Sequence, residues 1–338
     1  MKDKSGKSFV SAQQVAELAG VSRSAVSRTF TEGASVSKAT RDKVMAAADT
    51  LGYHVNHLAR GLIQENSNIV CLVAADMASP YQSKFIEILT RDLQAANKVV
   101  MIVNASGDSG VNRALRQTLY YRADASVVLS GQPDEALIET CVRSGQRVIV
   151  ANRDQSVSGT ENIMVSNRAS AREAFHMLHR VGCQTIALVA SDVGTPSLLA
   201  RETAFVEEAK AQGVDVTVTR SGASNYASGA EVARRLFSGQ NRPDGAFCIT
   251  DLLACGFMDV ARNEFGLKVP EELCVIGFDD IEQAGWSSYN LTTFRQPLDE
   301  ITQHITQLIN EPQPALETLP PPTRFVAHPV WRGSVRPR

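Results

Sequence analysis

The run Gly277-Phe278-Asp279-Asp280 sets two carboxylates behind the apolar stretch LCVI, where a chain leaving a strand can accept hydrogen bonds from two neighbouring hydroxyls of a ligand. Asp279 reads as the ligand-binding acid and Asp280 as its structural partner. The two make a poor acid/base couple, because adjacent residues on a strand point to opposite faces. There is no phosphate-cradling G-x-x-x-x-G-K-[ST], no nucleophile elbow G-x-S-x-G and no H-E-x-x-H. His176 and His179 lie three apart on one helical face, a spacing open to a metal, yet no carboxylate or third ligand follows in a workable pattern, so both read as surface histidines. Cys71, Cys141, Cys183, Cys248, Cys255 and Cys274 show no C-x-x-C spacing and sit mostly in apolar runs such as IVCLV, which reads as free buried thiols. What remains is binding rather than catalysis, with no cofactor and no metal.

A second group of side chains stands near the N-terminus. Arg23, Ser24 and Ala25 fall at the exposed start of a short helix, where a guanidinium can donate a forked pair to guanine O6 and N7 worth about 1–3 kcal/mol of base discrimination. The charge distribution agrees. Residues 1–63 hold nine Lys/Arg against five Asp/Glu, an excess of +4, which leaves −6 on the rest of a chain of net −2. A basic head on an acidic body is what attraction to phosphate at one end requires.

The elements that must carry these groups are legible in part. Ser11 opens SAQQVAELAG as a capping box with Gln14, with Val15, Leu18 and Ala19 at helical spacing and Gly20 as the stop. Ser22 caps SRSAVSRTF, with Val26 and Phe30 on its apolar side. Ser37 caps KATRDKVMAAADTLG, whose stripe is Val44, Ala47, Ala48 and Leu51 and whose end is Gly52. Two helices joined by a tight turn and braced by a third form a helix-turn-helix plan. HVNHLARGLIQENSN follows as a linker or marginal helix.

From Ile69 the texture changes to short apolar runs alternating with amphipathic stretches: IVCLVAAD, VVMIVN, ASVVLS, RVIVAN, TIALVAS, DVTVTR, GAFCIT and LCVIGFDD. That predicts a doubly wound parallel α/β module, long enough for two Rossmann-like lobes divided near Arg168 with a ligand between them. EPQPALETLPPP reads as a surface connection. No apolar run approaches a membrane span and the N-terminus lacks an apolar signal core, so a cytoplasmic location is expected.

VAELAGVSRSAVSRTF and VSKATRDKVMAAADTLGYHVNHLARGL resemble the DNA-binding head and hinge of the lactose-repressor (LacI/GalR) family of bacterial regulators. VIGFDDIEQAGWSSYNLTTFRQP resembles that family's late sensor signature. The resemblance implies a two-lobed, periplasmic-binding-protein-like sensor behind the head, a dimer on a pseudo-palindromic double-stranded operator, and a sugar-like small-molecule effector. It implies a head over 1–55, a hinge over 56–67 and an effector-binding and dimerisation domain over 68–338, with an N-lobe of about 68–168 plus 296–323 and a C-lobe of about 169–295 plus 324–338.

Residue by residue, Ser22, Ser27 and Arg28 match family positions that touch phosphate or base edges, and Ser11, Ser37, Thr40, Tyr53 and Asn56 match backbone contacts. Capping explains Ser11, Ser22 and Ser37 equally well, and a helix N-terminus can do both. Ala59, Arg60 and Leu62 match the hinge, with Leu62 as a minor-groove wedge. Gly61 departs from the family pattern and costs about 0.8–1 kcal/mol of helix propensity relative to Ala, so Gly61→Ala is expected to tighten operator binding.

For the effector, Arg201 matches the family's R-x-x-G-F arginine although Ala204 replaces the glycine, and a plain salt bridge is the alternative role. Asn167, Thr250, Asp76, Tyr81 and Tyr226 fall on ligand-facing segments beside Asp279, and Ser166, Thr250 and Ala204 depart from the family's usual residues. The C-terminal run TRFVAHPVWRGSVRPR has prolines and no heptads, which favours a homodimer over a tetramer. The competing reading is a solute-binding protein without DNA regulation; the basic head and the missing signal core count against it.

Overall fold

In the computed structural model, which describes residues 9–31, 33–54, 67–107, 110–131, 133–151, 159–314 and 319–337, the chain divides into a unit ending at Ser67 and a second from Asn68 to Arg338. The first holds α1 (Ala12–Ala19), α2 (Arg23–Thr29) and α3 (Lys38–Leu51). Each begins at a serine cap. Ser11 and Gln14 form a reciprocal capping box, and Ser22 and Ser37 accept from the backbone of Ala25 and Thr40. Gly20 and Gly52 close α1 and α3 in the left-handed conformation that glycine adopts without strain. Val15, Ala16, Val26, Val44, Ala47 and Ala48 form the core, with Phe30, Leu51 and Tyr53 packed against it. Leu18 departs from the expected stripe: it is 53% exposed, and Ala16 is buried instead. In so short a helix the inward face is narrow, and Val15 with Ala16 fills it.

The second unit begins with β1 (Ile69–Ala74), α4 (Pro80–Ala95), β2 (Val99–Asn104), α5 (Gly110–Tyr120), β3 (Ala125–Val128), α6 (Glu135–Arg143), β4 (Arg147–Ala151) and β5 (Glu161–Val165). It continues through α7 (Asn167–Arg180), β6 (Ile186–Ala190), α8 (Pro196–Ala211), β7 (Val216–Arg220), α9 (Tyr226–Ser238), β8 (Gly245–Cys248), α10 (Asp251–Asn263) and β9 (Cys274–Ile276). After β10 (Thr293–Arg295) come α11 (Leu298–Asn310), β11 (Thr323–Phe325) and β12 (His328–Val330). Two parallel sheets result, one ordered β11-β5-β4-β3-β1-β2 and one ordered β7-β6-β8-β9, while β10 and β12 pair antiparallel. In each sheet the strand order reverses beside the first strand of its set, and ligands gather at such points beyond the carboxyl ends.

The chain passes between the two sheets three times, at Ser166, at Gln296–Pro297 and at Val326–Ala327. The first and third passages are stitched together: Ser166 N–H donates to the Phe325 carbonyl at 2.9 Å, and Ser170 Oγ donates to the carbonyls of Ser166 and Ala327.

Four strands were not among the runs singled out from sequence. β5 begins with Glu161 and Asn162, which disguise it, yet the whole strand is buried because Glu161 holds Arg147 of the neighbouring strand through two hydrogen bonds of 2.5 and 2.7 Å. A buried charge is tolerated only when paired in this way. β10, β11 and β12 are three residues each, too short for a period to register. No described helix is long and apolar enough to cross a membrane.

Candidate DNA-binding face and effector cleft

On the head, Ser22, Arg23, Ser24, Ser27 and Arg28 are exposed and Ala25 is half-buried. Val26 and Thr29 face inward and hold α2 against the other helices. Ser22 Oγ accepts the Ala25 N–H at 3.2 Å and lies 2.8 Å from Ser24 Oγ, so capping uses its lone pair and leaves its proton for another acceptor. Arg28 Nε reaches the Ser24 carbonyl at 3.4 Å. Ser11 and Ser37 are exposed caps, and Thr40, half-buried, shares a 2.8 Å contact with Ser37. Tyr53 packs its ring on Phe30, with centroids 5.6 Å apart, and so is partly a core residue of the head. Asn56, Ala59, Arg60, Gly61 and Leu62 lie outside the described residues.

In the second unit a continuous polar network gathers at the carboxyl ends of the strands. Arg201, on α8 and 2% exposed, donates from Nε to Asn167 Oδ1 at 2.9 Å and from one terminal nitrogen to the Ile249 carbonyl at 2.8 Å. The same nitrogen stands 3.6 Å from Asp279 Oδ1. Its guanidinium lies 3.5 Å over the buried Phe278 ring, whose other neighbour is the stacked ring of Phe294 at 5.7 Å, so this cation–π contact fixes the guanidinium in place. Gln296, in the second passage between the sheets, donates to Asp279 Oδ1 at 2.8 Å and accepts from Tyr81 Oη at 2.8 Å. Tyr81, Gln296, Asp279, Arg201 and Asn167 thus link a helix over the six-stranded sheet to the four-stranded sheet through two of the three passages.

Burial dominates the electrostatics. It pushes the Asp279 carboxyl up to about 6, although Arg201 and Gln296 both favour the charged form. Asp251, fully buried, is pushed up to about 7, first by burial and next by the charge of Asp279. It accepts from Ile281 N–H at 2.9 Å and Thr293 Oγ1 at 2.6 Å, and so braces the loop carrying the two aspartates. Gly277 makes room for it: a Cβ there would fall 2.1 Å from Asp251 Oδ1.

Asp279 and Asp280 differ from the strand geometry expected of them. β9 ends at Ile276, and both aspartates have positive φ, 118° and 54°. They still part company: Asp280 takes Arg295 at 2.5 Å and Arg332 at 2.6 Å, leaving Asp279 to the cleft.

Asn167, Arg201, Asp279 and Tyr81 are brought together, and Thr250 adjoins them, following Ile249 and contacting Ser224 Oγ at 2.9 Å. Asp76 is exposed after β1 with φ 52° and has no hydrogen bond to this network among the described residues. Tyr226 points elsewhere, its hydroxyl donating to Asp259 at 2.7 Å beside Tyr289. Sequence reasoning missed Gln296, which sits unmarked before a proline. It also gave no role to the hydroxyls of Ser166 and Ser191, buried at the ends of β5 and β6 without a hydrogen-bond partner among the described residues.

A helix-turn-helix head ahead of a two-sheet binding module defines a DNA-binding regulator class with a built-in sensor. One family model, Bacterial regulatory proteins, lacI family, matches residues 12–56, and a second, Periplasmic binding protein-like domain, matches residues 175–335. The chain thus carries a lacI-family helix-turn-helix domain and, behind it, a periplasmic-binding-protein-like domain. It is similar to the HTH-type transcriptional repressor CytR of Escherichia coli strain K12, 27% identical over 315 residues and 91% of each chain. It is also similar to the HTH-type transcriptional regulator GalR of that strain, 27% identical over 334 residues and 96% of each chain. In fold it matches the lac repressor dimer bound to operator and the anti-inducer ONPF, with TM-score 0.85, 22% identity, and 97% of this chain and 99% of that one covered. These relatives are regulators rather than enzymes.

Proposed function

We propose that the protein is a sequence-specific DNA-binding transcription regulator, acting as a repressor, that binds a pseudo-palindromic operator as a homodimer under control of a sugar-like effector held between its two sheets. The observation that carries the sensor half is the buried network of Arg201, Asn167, Asp279, Gln296 and Tyr81 at the carboxyl ends of the strands: convergent donors and acceptors suit a polyhydroxylated ring. On the head, Arg23 and Ser24 at the start of α2 read base edges, while Ser11, Ser22, Ser27, Arg28, Ser37 and Thr40 serve phosphate and backbone. Asp279 accepts from ligand hydroxyls, and Arg201 and Asn167 donate to ring or hydroxyl oxygens. Effector binding alters the angle between the sheets at the three passages and so the spacing of paired heads over half-sites about one helical turn apart.

The test is a titration of the full chain with mono- and disaccharides while operator affinity is read by fluorescence anisotropy. A sugar that binds wild type but not Asp279→Asn, and shifts operator affinity about 5–150-fold, is the expected result. Sugars that bind without moving operator affinity contradict the allosteric reading.

A further inference from the structure

Two cysteines that neither the head nor the cleft uses meet at the amino-terminal edge of the four-stranded sheet. Cys274 opens β9 and is the register partner of Gly245, the first residue of β8. Cys183, between α7 and β6, packs onto the same spot: a Cβ at Gly245 would lie 2.9 Å from both the Cβ and the Sγ of Cys183. Register partners on adjacent strands lie about 4.8 Å apart with side chains on one face, so the Cys183 sulfur comes to rest beside that of Cys274. The Cys183 thiol donates to the Asp244 carbonyl at 3.5 Å and the Cys274 thiol to the Pro270 carbonyl at 3.6 Å. Arg336 touches both, its backbone N–H donating to Cys274 Sγ at 3.4 Å and its guanidinium to Cys183 Sγ at 3.3 Å. The guanidinium is held in place by the carbonyls of Glu271 at 3.0 Å and Val181 at 3.5 Å. The neighbouring Cys183 thiol, together with the Arg336 N–H and guanidinium, holds the Cys274 thiol below its ordinary value against the opposing effect of burial.

A surface opening lies close to the pair without reaching it. A surface cavity of about 610 Å³ is lined by Arg180, Pro270, Trp331, Val335 and Arg336, among others. Pro270 and Arg336 are also direct neighbours of the thiols, the Pro270 carbonyl lying 3.6 Å from Cys274 Sγ. Both cysteines are buried, so the C-terminal segment around Arg336 is what separates them from this opening.

We propose that Cys183 and Cys274 form a redox-modification site that reduces a hydroperoxide and closes to an intrachain disulfide. The Cys274 thiolate attacks the distal peroxide oxygen; the O–O bond breaks, the alkoxide leaves and takes a proton as the alcohol, and Cys274 becomes a sulfenic acid. The Cys183 sulfur then attacks the Cys274 sulfur, expelling water. Two thiols and one hydroperoxide give one disulfide, one alcohol and one water. The product ties the start of β9 to the turn before β6.

The full-length protein is treated with hydrogen peroxide at neutral pH, its remaining thiols are alkylated, and peptides are mapped by mass spectrometry without reduction. The expected result is a single cross-linked pair containing Cys183 and Cys274, two hydrogens lighter than its parts and reopened by dithiothreitol, with the other four cysteines alkylated. In Cys183→Ser the same treatment leaves a sulfenic acid on Cys274 that dimedone captures. Oxidation of Cys274 no faster than that of Cys71 or Cys248 in the wild type, or a cross-link from Cys183 to any other cysteine, overturns the proposal.

Discussion

Replacing Arg201 by Met keeps most of the side-chain volume while deleting the positive charge at the centre of the cleft. The variant loses hydrogen bonds to Asn167 and the Ile249 carbonyl, the 3.6 Å approach to Asp279 and the contact over Phe278. Stranding one partner of a buried ion pair costs about 3–5 kcal/mol, a large part of the stability of an ordinary domain. Asp279 can escape by taking a proton. Its carboxyl already stands at about 6 with Arg201 present, and loss of Arg201 raises it further. Each pKa unit is worth about 1.4 kcal/mol, so the deficit grows as pH rises above about 6, where wild-type Asp279 is charged while the variant's carboxyl still holds its proton, and narrows towards pH 5.5, where the wild-type carboxyl is protonated too. Urea unfolding followed through Trp286 and Trp331, the chain's two tryptophans, reads this directly. The double variant Arg201→Met/Asp279→Asn is expected to recover most of the loss at pH 8. A single-variant deficit below about 1 kcal/mol, a deficit independent of pH, or a double variant no more stable than the single one would refute the reasoning.

Three further outcomes follow from the same geometry. Arg23→Ala should weaken operator binding by about 1–3 kcal/mol and relax discrimination at one base pair per half-site, measured against a set of operator variants. Ser22→Ala should lower the stability of the head by about 1 kcal/mol through loss of the α2 cap, whereas Ser22→Asp should melt like wild type yet bind DNA more weakly, because its charge faces phosphate. Asp251 holds its proton up to about pH 7 while an unfolded aspartate releases it near 3.8; the native state therefore binds more protons in between, and sensor stability should fall as pH rises across that window and level off above it. Asp251→Asn should flatten that fall in urea titrations at fixed pH.

The head was nearly complete in the sequence because its signals are local: a serine before each helix, a glycine after two of them, and apolar residues at helical spacing. Leu18 fails because periodicity marks a stripe but cannot say how wide the buried face is. Strands with uniform apolar runs declared themselves, whereas β5 hid behind Glu161, whose buried partner Arg147 lies fourteen residues earlier and becomes adjacent only in the sheet. In the cleft, Asp279 and Arg201 were legible from type and context. Gln296 was not, since its role depends on the passage between the sheets bringing Tyr81 and Asp279 within reach of one amide. Tyr226, read as cover for the ligand, instead donates to Asp259, a pairing that no local pattern encodes.

The most direct test of the central claim is to incubate the purified full chain with fragmented genomic DNA, wash with rising salt and sequence what stays bound. Sequence-specific reading by paired heads predicts fragments sharing a pseudo-palindrome with half-site centres about one helical turn apart, retained after non-specific DNA has left. Recovery of DNA with no common sequence, lost uniformly as salt increases, with and without candidate sugars, would contradict it.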